Sequence, residues 1–327
     1  MRDLIAELPQ QLRWAAALDV PDVADAREAV VTGMGGSGMA GDIAALVAES
    51  QGRRVVVHKG YDMPGWVGAD QLVVAVSHSG NTEETSSALT RALDLGATTV
   101  AVATGGEMAG RAGSEGVPFV PVPPGPQPRA AVGYLSGAVL RVLEAAGVVE
   151  SQVEGLEEAA DVVTSLLEGA GPALAADLAD ALRDRVAVVY GGGGPTSVAA
   201  GRWKTQINEN AKAPAYVATL PEADHNEIVG WTTYPDISAD AVGVVFLRDR
   251  DGDPRVERRV DLTRELMEDG VGIAGEVYAS GDGILARVFS LVVIGDLVSV
   301  AIAEQAGVDP MPVDVIERLK LRLKDDT

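Results

Sequence analysis

At 327 residues the chain exceeds a single core of ordinary size, so two domains are expected. Its 47% hydrophobic and 23% charged residues suit a water-soluble globular protein, and a formal net charge of −22 argues against nucleic acid or an anionic membrane surface as a partner. The absence of cysteine excludes disulfides, thiolate metal sites and a cysteine nucleophile; with no basic, apolar leader opening the sequence, a cytoplasmic location is expected.

Residues 1–26 read as a helix carrying Leu4, Ile5, Leu8, Leu12, Trp14 and Ala15 at helical spacing. Alternation then begins. Strands are expected at 29–32, 54–57, 72–76 and 98–102, with helices at 39–49 and 83–95 between them. Short β-branched runs alternating with amphipathic helices specify a parallel sheet covered on both faces. Residues 118–128 hold six prolines and read as an extended loop leading to a helix at 134–146. Helical segments follow between 153 and 182, interrupted near 169–172. The pattern then restarts: Val186-Ala-Val-Val-Tyr190 runs into Gly191-Gly-Gly-Gly194 and a helix, as residues 29–49 do in the first half. Segments 241–246, 271–274 and 291–300 supply further strands or core helix, and a helix over 313–323 ends the pattern. The fold class expected is therefore α/β: one doubly wound parallel-sheet unit duplicated, with flanking N- and C-terminal helices. The halves divide as 1–150 and 151–327, the second opening with linker helices. The apolar stretch 288–303 holds Asp296 and falls short of the roughly 20 residues a membrane span needs, so it reads as buried core.

Three glycine or polar turns carry candidate chemistry. Gly33, Gly35 and Gly38 satisfy a dinucleotide fingerprint, but the second strand ends in Val57-His-Lys59 where that reading requires an acidic residue for a ribose, so nucleotide binding is disfavoured. What remains is a glycine turn with Gly36 and Ser37 at a helix N-terminus, suited to an anion. Ser77-His-Ser-Gly-Asn-Thr82 holds the same position after the third strand. Its hydroxyls and turn amides make an oxyanion cradle; the alternative is plain helix capping completed by Glu83 or Glu84. Arg202, Gln206 and Glu209 recur at i, i+4 and i+7, a polar stripe expected to face water or a site while Trp203 and Ile207 face elsewhere. His225, one of only three histidines, lies in the polar run Asp224-His-Asn-Glu227. A carboxylate and an imidazole are the groups proton transfer on a sugar requires.

These segments, together with Pro128-Arg129 and Leu319-Lys320, resemble in order the bifunctional phosphoglucose/phosphomannose isomerase family, built from two SIS (sugar isomerase) domains. The resemblance implies an aldose–ketose isomerase of six-carbon sugar phosphates. It assigns the phosphate to Gly36, Ser37, Ser77, Ser79 and Thr82. Glu209 becomes the base between C1 and C2, with Asn208 and Asn210 orienting its carboxylate. His225 and Lys320 open the sugar ring, and Arg129 stabilises the enediolate. His78 stands where family members often show Tyr and receives no catalytic role. The segment Asp309-Pro-Met-Pro312 falls where relatives help determine which epimer fits, and no specificity residue is assigned there. No cofactor is implied, and three dispersed histidines without cysteine offer no zinc-ligand spacing. A homodimer is expected, the apolar Ile228, Val229 and Trp231 seeking cover and His225 completing the partner's site. The competing readings are a non-catalytic sugar-phosphate-binding regulator, against which no basic recognition helix is visible, and an isomerase of another phosphosugar.

Overall fold

The computed structural model describes residues 1–125 and 127–325. Five strands, β1 (Glu28–Thr32), β2 (Arg54–His58), β3 (Leu72–Ser77), β4 (Thr98–Ala103) and β5 (Phe119–Pro121), form a parallel sheet in the order β2-β1-β3-β4-β5. Four more, β6 (Val186–Gly191), β7 (Ala215–Thr219), β8 (Val242–Arg248) and β9 (Gly272–Tyr278), form a second parallel sheet in the order β7-β6-β8-β9. Both are doubly wound, with β1 and β6 in the same topological place, as a duplication requires.

The near-continuous Val and Ala runs follow from burial on both faces. In β3 every residue is buried: Val74 and Val76 point into a central core, while Val73 and Ala75 point outward under the helix Glu83–Asp94. The central core is shared, since Val31, Val74 and Val102 from the first sheet belong to the same apolar cluster as Val189 and Val245 from the second. Between the sheets lies the helix Ile284–Gln305, apolar nearly all round. Its length and composition match a membrane span, but 89% of its apolar window is buried inside the protein, as expected for a core helix.

Several elements differ from the expectation. The N-terminal helix is two, Arg2–Ala6 and Leu8–Ala16, because Pro9 lacks the amide to continue the first; residues 17–26 are not helical, and Pro21 stands within them. The helices Gly106–Glu115 and Pro254–Met267 and the strands β5 and β7 are additions. Helix 254–267 is charged at half of its positions and buries only Val260, Thr263 and Met267, too few to set an apolar period. Strand β5 sits at the sheet edge, where proline is tolerated, and shortens the expected loop.

Candidate active site

The strand order 2-1-3 places a crevice outside the carboxyl ends of β1 and β3, where the connections leave in opposite directions. Two turns flank it. After β1, Gly33 leads into the helix Gly35–Ser50, whose first turn carries Gly36 and Ser37. After β3, residues 77–82 turn into the helix Glu83–Asp94. The turns are tied together: the His78 amide donates to Ser37 Oγ at 3.1 Å. Within the second turn Ser77 Oγ accepts from the Gly80 amide at 3.1 Å and lies 2.8 Å from Thr82 Oγ1. Gly80 has φ +70°, and a Cβ there would overlap the Gly105 carbonyl oxygen, so only glycine closes this turn.

The crevice deepens into a cleft of about 260 Å³ lined by residues far apart in sequence, among them Gly36, Ser37, Ser79, Thr82, Arg129, Glu209 and Lys320. Arg129 arrives on a 3₁₀ turn, Pro128–Ala130, that packs on the first turn of the helix Gly35–Ser50. Gly36 permits this approach, because a Cβ there would lie 3.0 Å from the Pro128 carbonyl oxygen. Buried Gln11, on the N-terminal helix, holds the far end of that segment by donating to Ala130 O at 2.7 Å and accepting from the Gly133 amide at 3.0 Å.

Glu209 lies in a π-helical turn, Ile207–Ala211, that continues the helix Gly194–Gln206. Such turns are rare and are frequently found at functional sites. The turn closes on Lys212, which takes left-handed backbone angles and whose Nζ donates to Glu209 O at 2.7 Å. The expected polar stripe therefore divides. Arg202 and Gln206 do not face water or the cleft; they are buried and donate to Asp296 of the central helix, Arg202 through Nε and Nη2 at 3.0 and 2.7 Å and Gln206 at 2.9 Å. Glu209 alone reaches the cleft, with 28% of its side chain exposed.

Arg129 is 3% exposed and makes five hydrogen bonds, to Asn210 Oδ1 (2.8 Å), Gln127 Oε1 (2.9 Å), the carbonyls of Pro310 (2.7 Å) and Met311 (2.9 Å), and Glu209 Oε2 at a long 3.4 Å. Burial lowers its pKa from the ordinary guanidinium value while Glu209 opposes the shift, and an arginine so placed stays charged. The Arg129 carbonyl accepts from Arg202 Nη2 at 2.7 Å, so the guanidinium at the cleft and the buried Arg202–Asp296 pair form one network. Asn210 completes it, donating to Ser299 Oγ at 2.9 Å. Neither asparagine orients the Glu209 carboxylate as expected: Asn208 donates to Ala213 O, and Asn210 serves Arg129.

Two expected residues stand apart from the cleft. Ser77 is fully buried beneath the turn that follows β3, its hydroxyl used to build that turn. His225, itself exposed, ends the 3₁₀ turn Glu222–His225 in the second half. Of the apolar residues beside it, Val229 is 65% exposed, but Trp231 packs in its own chain and donates to Tyr190 OH at 2.9 Å. The structure adds Gln127, Glu84, Val313 and Ile316 to the lining, and Asp296 and Ser299 behind it. An acidic residue within an otherwise apolar helix was the one available signal for Asp296.

The corresponding crevice of the second sheet, outside β6 and β8, is lined by Gly192, Gly193 and Gly194 but also by Asp249, Asp253 and Glu257. Each of these carboxylates is paired with an arginine, Asp249 with Arg287, Asp253 with Arg255 and Glu257 with Arg248, so ion pairs stand where the first crevice carries hydroxyls.

Two family descriptions match the chain: SIS domain over residues 22–112, and bacterial phospho-glucose isomerase C-terminal SIS domain over residues 173–323. A bifunctional phosphoglucose/phosphomannose isomerase of Caldicellulosiruptor bescii is 35% identical, covering 99% of both chains. Another from Aquifex aeolicus is 37% identical over 90% of both. Among solved structures, the C-terminal domain of glucosamine-fructose-6-phosphate aminotransferase from Francisella tularensis superposes with a TM-score of 0.73 at 14% identity, over 94% of this chain and 97% of that one, a likeness of fold.

Proposed function

The chain belongs to the bifunctional phosphoglucose/phosphomannose isomerase family, and from that premise we propose that it interconverts glucose 6-phosphate and mannose 6-phosphate with fructose 6-phosphate through an enediol. The observation that carries this reading is the cleft itself. It brings hydroxyls of two strand-to-helix turns together with the Glu209 carboxylate and the Arg129 guanidinium.

In this reading Gly36, Ser37, Ser79 and Thr82 hold the phosphate with hydroxyls and helix-terminal amides, and Ser77 shapes the cradle from beneath. Once the ring is open, the Glu209 carboxylate takes the C2 proton and the C2–H electrons form the C1–C2 double bond as O1 gains negative charge. Arg129 lies where that charge develops, its long contact to Glu209 being the one most easily exchanged. Transfer of the O2 proton to O1, and return of the proton held by Glu209 to C1 as the C2 carbonyl forms, gives the ketose. Glucose and mannose 6-phosphates share this enediol because they differ only at C2. Lys320, on the cleft rim, assists ring opening.

His225 is the second ring-opening group and acts in the site of a partner copy. Its exposed position outside the cleft of its own chain supports this, as do the apolar surfaces around it and beside the cleft. Val229, Tyr234 and Ile237 are 65%, 64% and 70% exposed, and Val315 and Leu319 on the helix Asp314–Asp325 are 70% and 58% exposed. The two SIS units divide near residue 150.

Turnover of the purified protein on the three hexose phosphates tests the activity, with proton exchange at C1 and C2 followed in deuterated water. Absence of exchange on all three would refute it. Mixing Glu209→Gln with His225→Ala protein tests the shared site: exchange of subunits regenerates one intact site per mixed dimer. No recovery despite demonstrated exchange would place both groups in one chain.

A further inference from the structure

Arg129 has five N–H groups, and each of them has an acceptor. Nε donates to Asn210 Oδ1 at 2.8 Å, and the two hydrogens of Nη2 go to the carbonyls of Pro310 and Met311 at 2.7 and 2.9 Å. Nη1 is divided differently. One of its hydrogens is held by Gln127 Oε1 at 2.9 Å, and the other makes the long 3.4 Å contact to Glu209 Oε2. An enediolate oxygen beside Arg129 can therefore draw on one N–H alone, the Nη1 hydrogen that rests on Glu209. Any other would have to leave a hydrogen bond of ordinary length to a group outside the reaction.

The direction of that hydrogen depends on Gln127. The guanidinium is planar and its donors form a rigid fork, so holding one Nη1 hydrogen fixes where the other points. The Gln127 amide is held in turn: its Nε2 donates to Met311 O at 3.2 Å, the same carbonyl that accepts from Arg129 Nη2. Rotating the amide by half a turn would set its amino group against the guanidinium and its oxygen against a carbonyl, so the oxygen faces Nη1. Gln127 and Met311 thus grip one edge of the guanidinium, while Gln127, Arg129 and Glu209 all line the cleft. With the Gln127 oxygen removed, Glu209 is the acceptor left to Nη1, and the long contact closes into a tighter ion pair that occupies base and donor together.

Resting on the functional reading above, we propose that Gln127 is a positioning residue for the isomerisation: it aims the free Nη1 hydrogen of Arg129 at the oxygen where enediolate charge develops and keeps Arg129 from pairing tightly with Glu209. The test is calorimetric binding of two ligands that cannot isomerise, with circular dichroism verifying the fold of each variant. Arabinonate 5-phosphate carries a planar carboxylate in place of the enediolate, and arabinitol 5-phosphate has a neutral hydroxymethyl group there.

Gln127→Met keeps the length of the side chain and removes its acceptor. It should weaken the aldonate about tenfold, the loss expected for one hydrogen bond to a charged group, while leaving the alditol unchanged. On hexose phosphates kcat should fall by a similar factor with KM little altered, as for an interaction made only in the transition state. Equal losses for both ligands, no loss for the aldonate, or an undiminished kcat would overturn the proposal. Should Gln127→Met not fold, Gln127→Asn, whose oxygen is drawn back by one methylene, decides alone: a preference for the aldonate equal to that of wild type overturns it. Wild-type protein that binds the aldonate no more tightly than the alditol would instead refute the functional reading, which sets the enediolate beside Arg129.

Discussion

Removing the Asp296 carboxylate is expected to damage stability and catalysis together, although the residue does not line the cleft. Asp296 is 4% exposed and its partner Arg202 is 1% exposed; the two share hydrogen bonds of 3.0 and 2.7 Å, and Gln206 donates a third at 2.9 Å. In Asp296→Ala the guanidinium stays buried with its counter-charge gone, a change that costs about 3–5 kcal/mol. The three lost hydrogen bonds to the carboxylate, at roughly 1.5–3 kcal/mol each, put the loss at the upper end of that range or above it. With a urea slope on the order of 3 kcal/mol per molar, the unfolding midpoint should fall by about 1 to 1.7 M. Asp296→Asn retains the shape and one acceptor and should fall between that value and wild type. Because Arg202 also holds the Arg129 carbonyl, the folded fraction of Asp296→Ala should show reduced kcat on hexose phosphates, measured well below the denaturation midpoint. A midpoint shift under roughly 0.3 M would show that the pair contributes little net energy, and the network argument would fall with it.

Glu209→Gln preserves shape while removing the base, so kcat should drop by about 10² to 10⁴ with KM little changed; near-normal turnover would place the base elsewhere. Gly80→Ala forces a side chain into left-handed backbone against the Gly105 carbonyl, and inorganic phosphate binding by calorimetry should be lost or severely weakened, unchanged affinity disproving the turn's role. The His78 pKa is lowered in the folded protein, so between that value and the unfolded value of about 6.5 the unfolded chain binds the extra proton. This contribution to stability is therefore complete above about pH 6.5 and is lost as pH falls; His78→Phe should flatten that part of the stability–pH curve, and an unaltered curve would disprove the assignment. Proton transfer through an enediol needs no metal, so exhaustive chelation should leave isomerase activity intact, and loss restored by one divalent ion would contradict the mechanism.

The α/β class and most strands were legible in the sequence because a parallel sheet buried on both faces demands short β-branched runs such as 72–76 and 186–190, alternating with helices. The two strand-to-helix turns were legible for the same local reason: Gly33–Ser37 and Ser77–Thr82 lie where a strand gives way to a helix, and turn chemistry there suggests an anion site. Glu209 and Arg129 were reached through resemblance, since a glutamate in a polar helical stripe carries no local mark of catalysis. Only the tertiary structure showed that this stripe divides, Arg202 and Gln206 turning inward to Asp296 while the π-helical turn brings Glu209 to the cleft. It alone separated Ser77, spent on building the turn, from Ser79 and Thr82, which line the cleft. Periodicity records which face of an element is apolar; which buried polar groups find one another across 90 residues of chain is decided only when the helices pack.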